Sequence, residues 1–324
     1  MLSDELLSYA KKLGFGELFF KIDKINQLCA VIAIHSTRLG PALGGCRFIE
    51  YTSIDLAIHD ALRLAQGMSY KAALANLPLG GGKTVLMRPK QLSDRSAYFR
   101  ALGRFVNELK GRYIIAMDSG VLIETSKQRG YPAPYTALGV LYGIEAAVKF
   151  KLQRDDLEGL HVAIQGMGHV GLALANALRK KGAHLTICDN NVDLVQRAKD
   201  LGAKVVAPDE IYSVECDVFS PCALGAVLND RSIPKLKTAI VAGSANNQLA
   251  EPRDAELLQK KDILYAPDYV INAGGLIYAY AEYQNRLNRE HVVQHIATIY
   301  STLIEIFKCA LDENKLPSTV ADNL

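Results

Sequence analysis

The sequence predicts an α/β protein of two domains, the second a doubly wound parallel sheet. Three observations carry that expectation. The 324 residues are more than one compact core usually holds and comfortable for two. From residue 161 onward, short β-branched runs alternate with helical stretches, the rhythm of strand–helix–strand units on a parallel sheet. Between the halves, Gly130-Tyr-Pro-Ala-Pro-Tyr135 holds two prolines and a glycine and reads as a hinge. The expected domains are 1–134 and 135–324.

In the first half, residues 28–34 read as a strand. A helix should begin after Ser53 as its N-cap, with Ile54, Ile58, Ala61, Ala65 and Met68 spaced three or four apart on one face. Gly80, Gly81 and Gly82 are expected to interrupt the chain before a short strand at 84–87. A helix at 94–109 and a strand at 113–116 follow. Beyond the hinge, a helix is expected at 136–150. In the second half, strands are expected at 161–165, 184–188, 218–219, 239–241 and 263–265. The helices between them should cover 169–181, stopped by Gly182, and 192–201. One amphipathic helix is expected at 290–311.

Bulk composition narrows the function classes. Apolar residues make up 49% and charged residues 22%, an ordinary balance for a globular protein. The net charge of +3 comes without any run of five or six like charges, so no footprint for nucleic acid is present. The N-terminus is acidic early and lacks the basic region of a secretory signal. No apolar run is long enough to span a bilayer. The six cysteines are scattered without a C-x-x-C, which argues against a zinc site and a disulfide framework. A cytoplasmic protein without metal is expected.

Gly166-Met167-Gly168-His169-Val170-Gly171 completes G-x-G-x-x-G between an expected strand and an expected helix. Asp189 closes the next strand, 23 residues after Gly166. That is the full context of a Rossmann dinucleotide site. Gly166 permits the tight turn, Gly168 lets backbone approach the pyrophosphate, and Gly171 allows close helix–strand packing, with the helix N-terminus facing the phosphates. Asp189 should accept from the adenosine ribose hydroxyls and repel a 2′-phosphate. Asn190 and Asn191 supply no arginine to offset that repulsion, so NAD is expected rather than NADP.

Gly82-Lys83-Thr84 has the look of a P-loop tail, but the required earlier glycine is Leu77 and the next element reads as a strand. Lys83 follows three glycines, which let backbone fold closely around something. Lys71 lies just past an apolar helical stretch. Most lysines are solvated surface charges, so spacing alone does not lift these two above that reading.

Longer motifs do. Leu39-Gly-Pro-Ala-Leu-Gly-Gly-Cys-Arg47 resembles the glycine-rich substrate loop of the leucine, valine and phenylalanine dehydrogenase family, and Gly67-Met-Ser-Tyr-Lys71 and Leu79-Gly-Gly-Gly-Lys83-Thr84 are similar to the segments that follow it. Ser220-Pro-Cys-Ala-Leu-Gly225, Ala245-Asn-Asn-Gln-Leu249 and Ala266-Pro-Asp-Tyr-Val-Ile-Asn-Ala-Gly-Gly275 continue the resemblance, in order, over nearly the whole chain.

The resemblance implies an N-terminal α/β domain for substrate binding and oligomerisation and a C-terminal Rossmann domain for NAD. The implied reaction is oxidative deamination of an L-amino acid by a homo-oligomer. Lys71 matches the lysine that holds the substrate carboxylate, Lys83 the catalytic lysine, and Asp118 its proton-transfer partner. Gly44 and Gly45 match backbone beside the substrate, Asn272 an asparagine near substrate and nicotinamide, and Thr136 a threonine at the nicotinamide end. Cys222, Ala223, Ala245 and Asn246 fall in motifs that border the cofactor. Leu43 matches the specificity position, where a glutamate-specific relative would want a positive charge. With the small Ala116, and with Ile296 and Ile299 one helical turn apart, it would give an apolar pocket for leucine, valine or isoleucine. Core packing is an equal reading of each isoleucine. The chemistry suits these residue types, because a lysine enclosed beside another cation is disfavoured as ammonium and can take a proton.

The chain also departs from the family. Met117 stands where leucine dehydrogenases carry glutamate, the stretch from Asp118 to Thr136 is about half the usual length, and the long terminal helix is not expected before Leu324. Two other readings therefore stay open: a dehydrogenase for an aromatic or unusual amino acid, and an NAD-binding relative without turnover.

Overall fold

The computed structural model describes residues 4–15, 17–116 and 132–324. The chain divides into two compact units, Met1–Arg129 and Gly130–Leu324. Met117 and Asp118, with the rest of the shortened segment up to residue 131, lie outside the described residues.

The first unit runs α1 (Asp4–Lys12), β1 (Glu17–Asp23), β2 (Leu28–Ser36), β3 (Ala42–Ile49), α2 (Ile54–Leu74), β4 (Gly80–Met87), α3 (Arg95–Glu108) and β5 (Tyr113–Ala116). Its sheet has the order β1-β2-β4-β3-β5. β2 pairs antiparallel with β1 and β4, while β3 lies parallel to β4 and β5. β2 shows why the sheet is buried on both faces. Val31 and Ala33 join the cluster of Ile58, Leu62 and Val85 beneath α2, whereas Ala30, Ile32 and Ile34 join Phe48, Tyr98 and Phe105 beneath α3. The side chains alternate with period two, so a strand covered on both sides reads as one apolar run. Ser53 caps α2 by accepting from Leu56 N at 3.2 Å, and Asp94 caps α3 by accepting from Ala97 N at 2.9 Å.

Two expectations are corrected here. The glycine run does not interrupt the chain; it opens β4. The glycine-rich segment expected as a loop supplies most of β3. Close backbone approach is the cause in both cases. A Cβ on Gly44 would lie 1.8 Å from Gly82 O, and one on Gly81 would lie 2.1 Å from Ser69 N. Glycine in a strand marks such contacts. The elements α1 and β1 were not expected, because Glu-Leu-Phe-Phe-Lys-Ile-Asp in β1 has no clean alternation.

The second unit runs α4 (Ala133–Leu152), β6 (His161–Gln165), α5 (His169–Lys180), β7 (His184–Cys188), α6 (Val192–Asp200), β8 (Lys204–Val205), β9 (Val218–Pro221), β10 (Ile240–Val241), α7 (Asp254–Lys260), β11 (Leu264–Tyr265), α8 (Asp268–Ile271), α9 (Gly274–Tyr283), α10 (Arg289–Asp312) and α11 (Pro317–Asn323). All its strand pairs are parallel, in the order β11-β10-β9-β6-β7-β8. The chain winds outward in one direction from β6 to β8 and in the other from β9 to β11. The switch point between β6 and β9 is where ligands bind in such sheets.

A boundary at 134/135 would cut α4. Pro132 is its N-cap and Pro134 sits in its first turn, where a missing N–H costs nothing. The prolines therefore start a helix, and the division between units falls before them.

Candidate functional site

In the first unit, Lys71 stands in the last turn of α2 and Lys83 in the middle of β4. They are 8% and 3% exposed. Lysine is almost never buried so fully without a partner, and both are engaged in polar or electrostatic interactions. β3 lies between β4 and β5. Leu43 is in register with Gly81 and Ile114, Gly44 with Ile115 and Gly45 with Ala116, so these candidates occupy neighbouring strands of one sheet. Asp118 lies outside the described residues.

A polar chain that the sequence does not reveal pins this arrangement. Thr84 Oγ1 donates to Tyr113 Oη at 2.9 Å, and Tyr113 Oη donates to Gly44 O at 3.1 Å. Tyr113 thus ties the Gly44 carbonyl to Thr84 of the neighbouring β4.

In the second unit, the glycine motif sits at the switch point. Gly166 has φ +97°, which glycine adopts without strain, and its missing Cβ leaves room for Ala223, whose own Cβ would be 2.8 Å away. A Cβ on Gly171 would lie 2.0 Å from Gly166 O, so helix and strand meet backbone to backbone. Gly168 is the opposite case: a Cβ there would have nothing within 4 Å among the described residues. It caps α5 without a side-chain hydrogen bond, leaving open space in front of the N–H groups of the first turn, the arrangement an anion needs. Met167 is fully buried, and burial pulls the His169 imidazole below its ordinary value.

Asp189 is locked in place. Met167 N donates to its Oδ2 at 2.6 Å, and Asn191 N to its Oδ1 at 2.8 Å. Asn190 is exposed beside it. On the other side of the switch point, Cys222 N donates to Gln165 O at 2.7 Å and Ala245 N to Pro221 O at 2.9 Å. Two large apolar side chains remain exposed nearby, Val192 at the start of α6 at 80% and Leu224 after β9 at 79%. Neither belongs to an apolar stripe, so sequence reading singled out neither.

Asn272 follows α8. Its Nδ2 donates to Ser244 O at 3.0 Å and Asn246 Oδ1 at 2.9 Å. The Ser244 carbonyl can only accept, which fixes the amide orientation. Asn272 Oδ1 is then a buried acceptor without a partner among the described residues. Such atoms are costly unless something donates to them. Thr136 is close by, since a Cβ on Gly275 would lie 2.4 Å from Thr136 Oγ1. Ile296 and Ile299 are buried on α10. A Cβ on Gly139 would meet Ile299 Cδ1 at 2.8 Å, Ile271 O at 3.1 Å and Gly274 N at 3.3 Å. Ile299 thus packs under the backbone that flanks Asn272.

These features fit a dinucleotide. The open Gly168 and uncapped α5 suit a pyrophosphate, Asp189 suits ribose hydroxyls, and Asn272 Oδ1 suits an amide or ammonium donor.

Comparison with known proteins agrees with this geometry. Residues 18–125 match the family described as Glu/Leu/Phe/Val dehydrogenase, dimerisation domain, and residues 189–323 match Glutamate/Leucine/Phenylalanine/Valine dehydrogenase. Leucine dehydrogenase of Geobacillus stearothermophilus is 45% identical over 335 residues, covering 98% of this chain and 91% of that protein. L-tryptophan dehydrogenase of Nostoc punctiforme is 42% identical, with 98% and 94% covered. The crystal structure of L-tryptophan dehydrogenase from Nostoc punctiforme matches with a TM-score of 0.80 over 98% of this chain and 96% of that one, at 41% identity. A hetero-hexameric glutamate dehydrogenase from Thermus thermophilus shares the fold, at 20% identity and a TM-score of 0.76. The chain is an amino-acid dehydrogenase and belongs to the glutamate/leucine/phenylalanine/valine dehydrogenase family.

Proposed function

We propose that the chain catalyses NAD-dependent oxidative deamination of an apolar L-amino acid (leucine, valine or isoleucine) as a cytoplasmic homo-oligomer. The balanced reaction is amino acid, NAD⁺ and water to 2-oxo acid, ammonium, NADH and a proton. The observation that carries this reading is the pair of buried lysines on adjoining elements of one glycine-packed unit. A family member with an apolar residue at Leu43 has no group there to pair with a side-chain carboxylate.

When bound, NAD accepts a hydride from the substrate α-carbon. The chain's own residues do the rest. Lys71 holds the α-carboxylate. Lys83 takes a proton from the amino group and later activates the water that adds to the imine carbon, and Asp118 relays these protons. The Gly44 carbonyl, held by Tyr113, presents an acceptor to the substrate ammonium. Asn272 Oδ1 accepts from the carboxamide of the cofactor. Asp189, held by two backbone N–H groups, accepts from ribose hydroxyls and repels a 2′-phosphate. Val192 and Leu224 offer apolar surface to the adenine.

The aliphatic preference rests on Leu43, which is 2% exposed. Burying an unpaired carboxylate against it is costly. Among leucine, valine and isoleucine, one methylene is worth only about 1–3 kcal/mol, so all three should be turned over. The first unit is also the part matched by a family domain described as a dimerisation domain, which supports assembly through it.

The test is an absorbance assay of NADH formation with L-leucine, L-valine, L-isoleucine and L-glutamate, run beside calorimetry of NAD and NADP. Higher kcat/KM for the three aliphatic substrates and tighter NAD binding are expected. A preference for L-glutamate, or tighter NADP binding, contradicts the reading.

A further inference from the structure

His35 lies where β2 and β4 lose register. Ile34 pairs with Gly82 and Ser36 with Gly81, which leaves His35 as the extra residue of a bulge beside the glycine run. Bulges re-aim a side chain, and this one sends the imidazole across to α2. Its Nδ1 lies 2.8 Å from Ser69 Oγ and its Nε2 lies 3.0 Å from Leu13 O. A carbonyl oxygen only accepts, so Nε2 carries the proton and Nδ1 accepts from the Ser69 hydroxyl. Phe15 and Tyr70 meet the ring edge-on, at 5.0 and 6.1 Å between centroids. One side chain therefore ties β2, the chain after α1, and α2 together.

Ser69 is also the point where α2 crosses β4. A Cβ on Gly81 would lie 2.1 Å from Ser69 N and 2.4 Å from Ser69 Oγ. Glycine fixes how close helix and strand come at this crossing, where small residues leave little side-chain interlocking to fix the position along β4. A directional hydrogen bond fixes it. Lys71 is two residues beyond Ser69, and Lys83 is two residues beyond Gly81. The crossing thus sets the separation of the two lysines.

We propose that His35 is a positioning residue: through its hydrogen bond with Ser69 it holds α2 in register over the glycine run and so fixes the spacing of Lys71 and Lys83. The inference rests on the reading of those lysines as the substrate pair. Removing the bond lets α2 shift by a fraction of an ångström, and displacements approaching 1 Å remote from the chemistry cost up to about a hundredfold in rate.

The experiment compares His35→Leu, His35→Gln and Ser69→Ala with the parent and with Lys71→Ala. It reads kcat and KM for the preferred apolar amino acid, NAD affinity and thermal unfolding. His35→Leu and Ser69→Ala should each lower kcat/KM by about tenfold, the size of one lost hydrogen bond at the upper end, while NAD affinity stays at the parental value. The double variant His35→Leu with Ser69→Ala should be no worse than His35→Leu alone, because the bond that Ser69→Ala removes is already lost in His35→Leu. His35→Gln, whose amide oxygen and nitrogen can replace Nδ1 and Nε2, should recover most of the loss. A purely structural role would lower the unfolding temperature without this kinetic pattern and would overturn the proposal. If His35→Leu does not fold, Ser69→Ala carries the test alone, and parental kcat/KM in that variant overturns it. Lys71→Ala separates the two levels. A raised KM there with parental kinetics in Ser69→Ala and His35→Leu defeats the positioning role only, whereas an unchanged KM in Lys71→Ala defeats the lysine reading and this proposal together.

Discussion

Lys83 and Lys71 are both amines in the same unit, yet their roles should separate in kinetics. Lys83→Ala removes the group that takes and returns protons, so kcat should fall by about a hundredfold or more, the scale of a lost general base, with NAD affinity unchanged by calorimetry. Lys71→Ala removes a carboxylate contact present in the ground state and the transition state alike. Its KM should rise by about tenfold or more, the worth of a hydrogen bond between charged groups, with a smaller change in kcat. What the sequence made legible at this scale followed a rule. Gly166, Gly168, Gly171 and Asp189 were readable because their spacing is itself the mechanism. The lysines needed the family resemblance, since an isolated lysine is normally a surface charge. Tyr113 and His35 were not legible at all: the residues they hold, Gly44 and Ser69, lie 69 and 34 positions away. Nor does the sequence say that the Asn272 carbonyl oxygen is buried without a donor among the described residues.

Among the elements, Gly81 and Gly168 do opposite things, and substitution should reveal the difference. Gly81→Ala puts a methyl against the backbone of α2, so a shift is unavoidable. Overpacking of this kind costs about 1–3 kcal/mol, and a fall in unfolding temperature should register it. Gly168→Ala meets nothing within 4 Å among the described residues and should leave the unfolding temperature near the parent's. It places its methyl where the pyrophosphate approaches, so NAD affinity should drop instead. An unaltered unfolding temperature in Gly81→Ala would show that the close crossing is not needed. Helices and strands of the second unit were legible because alternation, caps and Gly182, at φ +80°, agreed with one another. The glycine strands were misread because glycine usually breaks a strand, and only tertiary contact reveals why it is tolerated here. The division between units falls at the start of the segment read as a hinge, and Pro132 and Pro134 within it begin α4, since proline begins a helix as readily as it interrupts one.

For the molecule as a whole, assembly and catalysis make separate demands. β1 is an edge of the first sheet, and Phe20 and Ile22 stand on one face of it, 43% and 73% exposed. An antiparallel pairing of two β1 strands about Phe20 would set Phe20 against its copy and Leu18 against Ile22, a self-complementary apolar row. Ile22→Lys should therefore shift the protein toward smaller species in light scattering, while each unit keeps its fold by circular dichroism. An unchanged mass would place the interface elsewhere. The most direct test of the central claim is product stoichiometry: incubate the purified protein with L-leucine and NAD and measure NADH, ammonium and 2-oxo acid together. Oxidative deamination gives the three in equal amounts, at a rate that vanishes in Lys83→Ala. Protein that binds NAD but forms no NADH from leucine, valine or isoleucine would contradict the account.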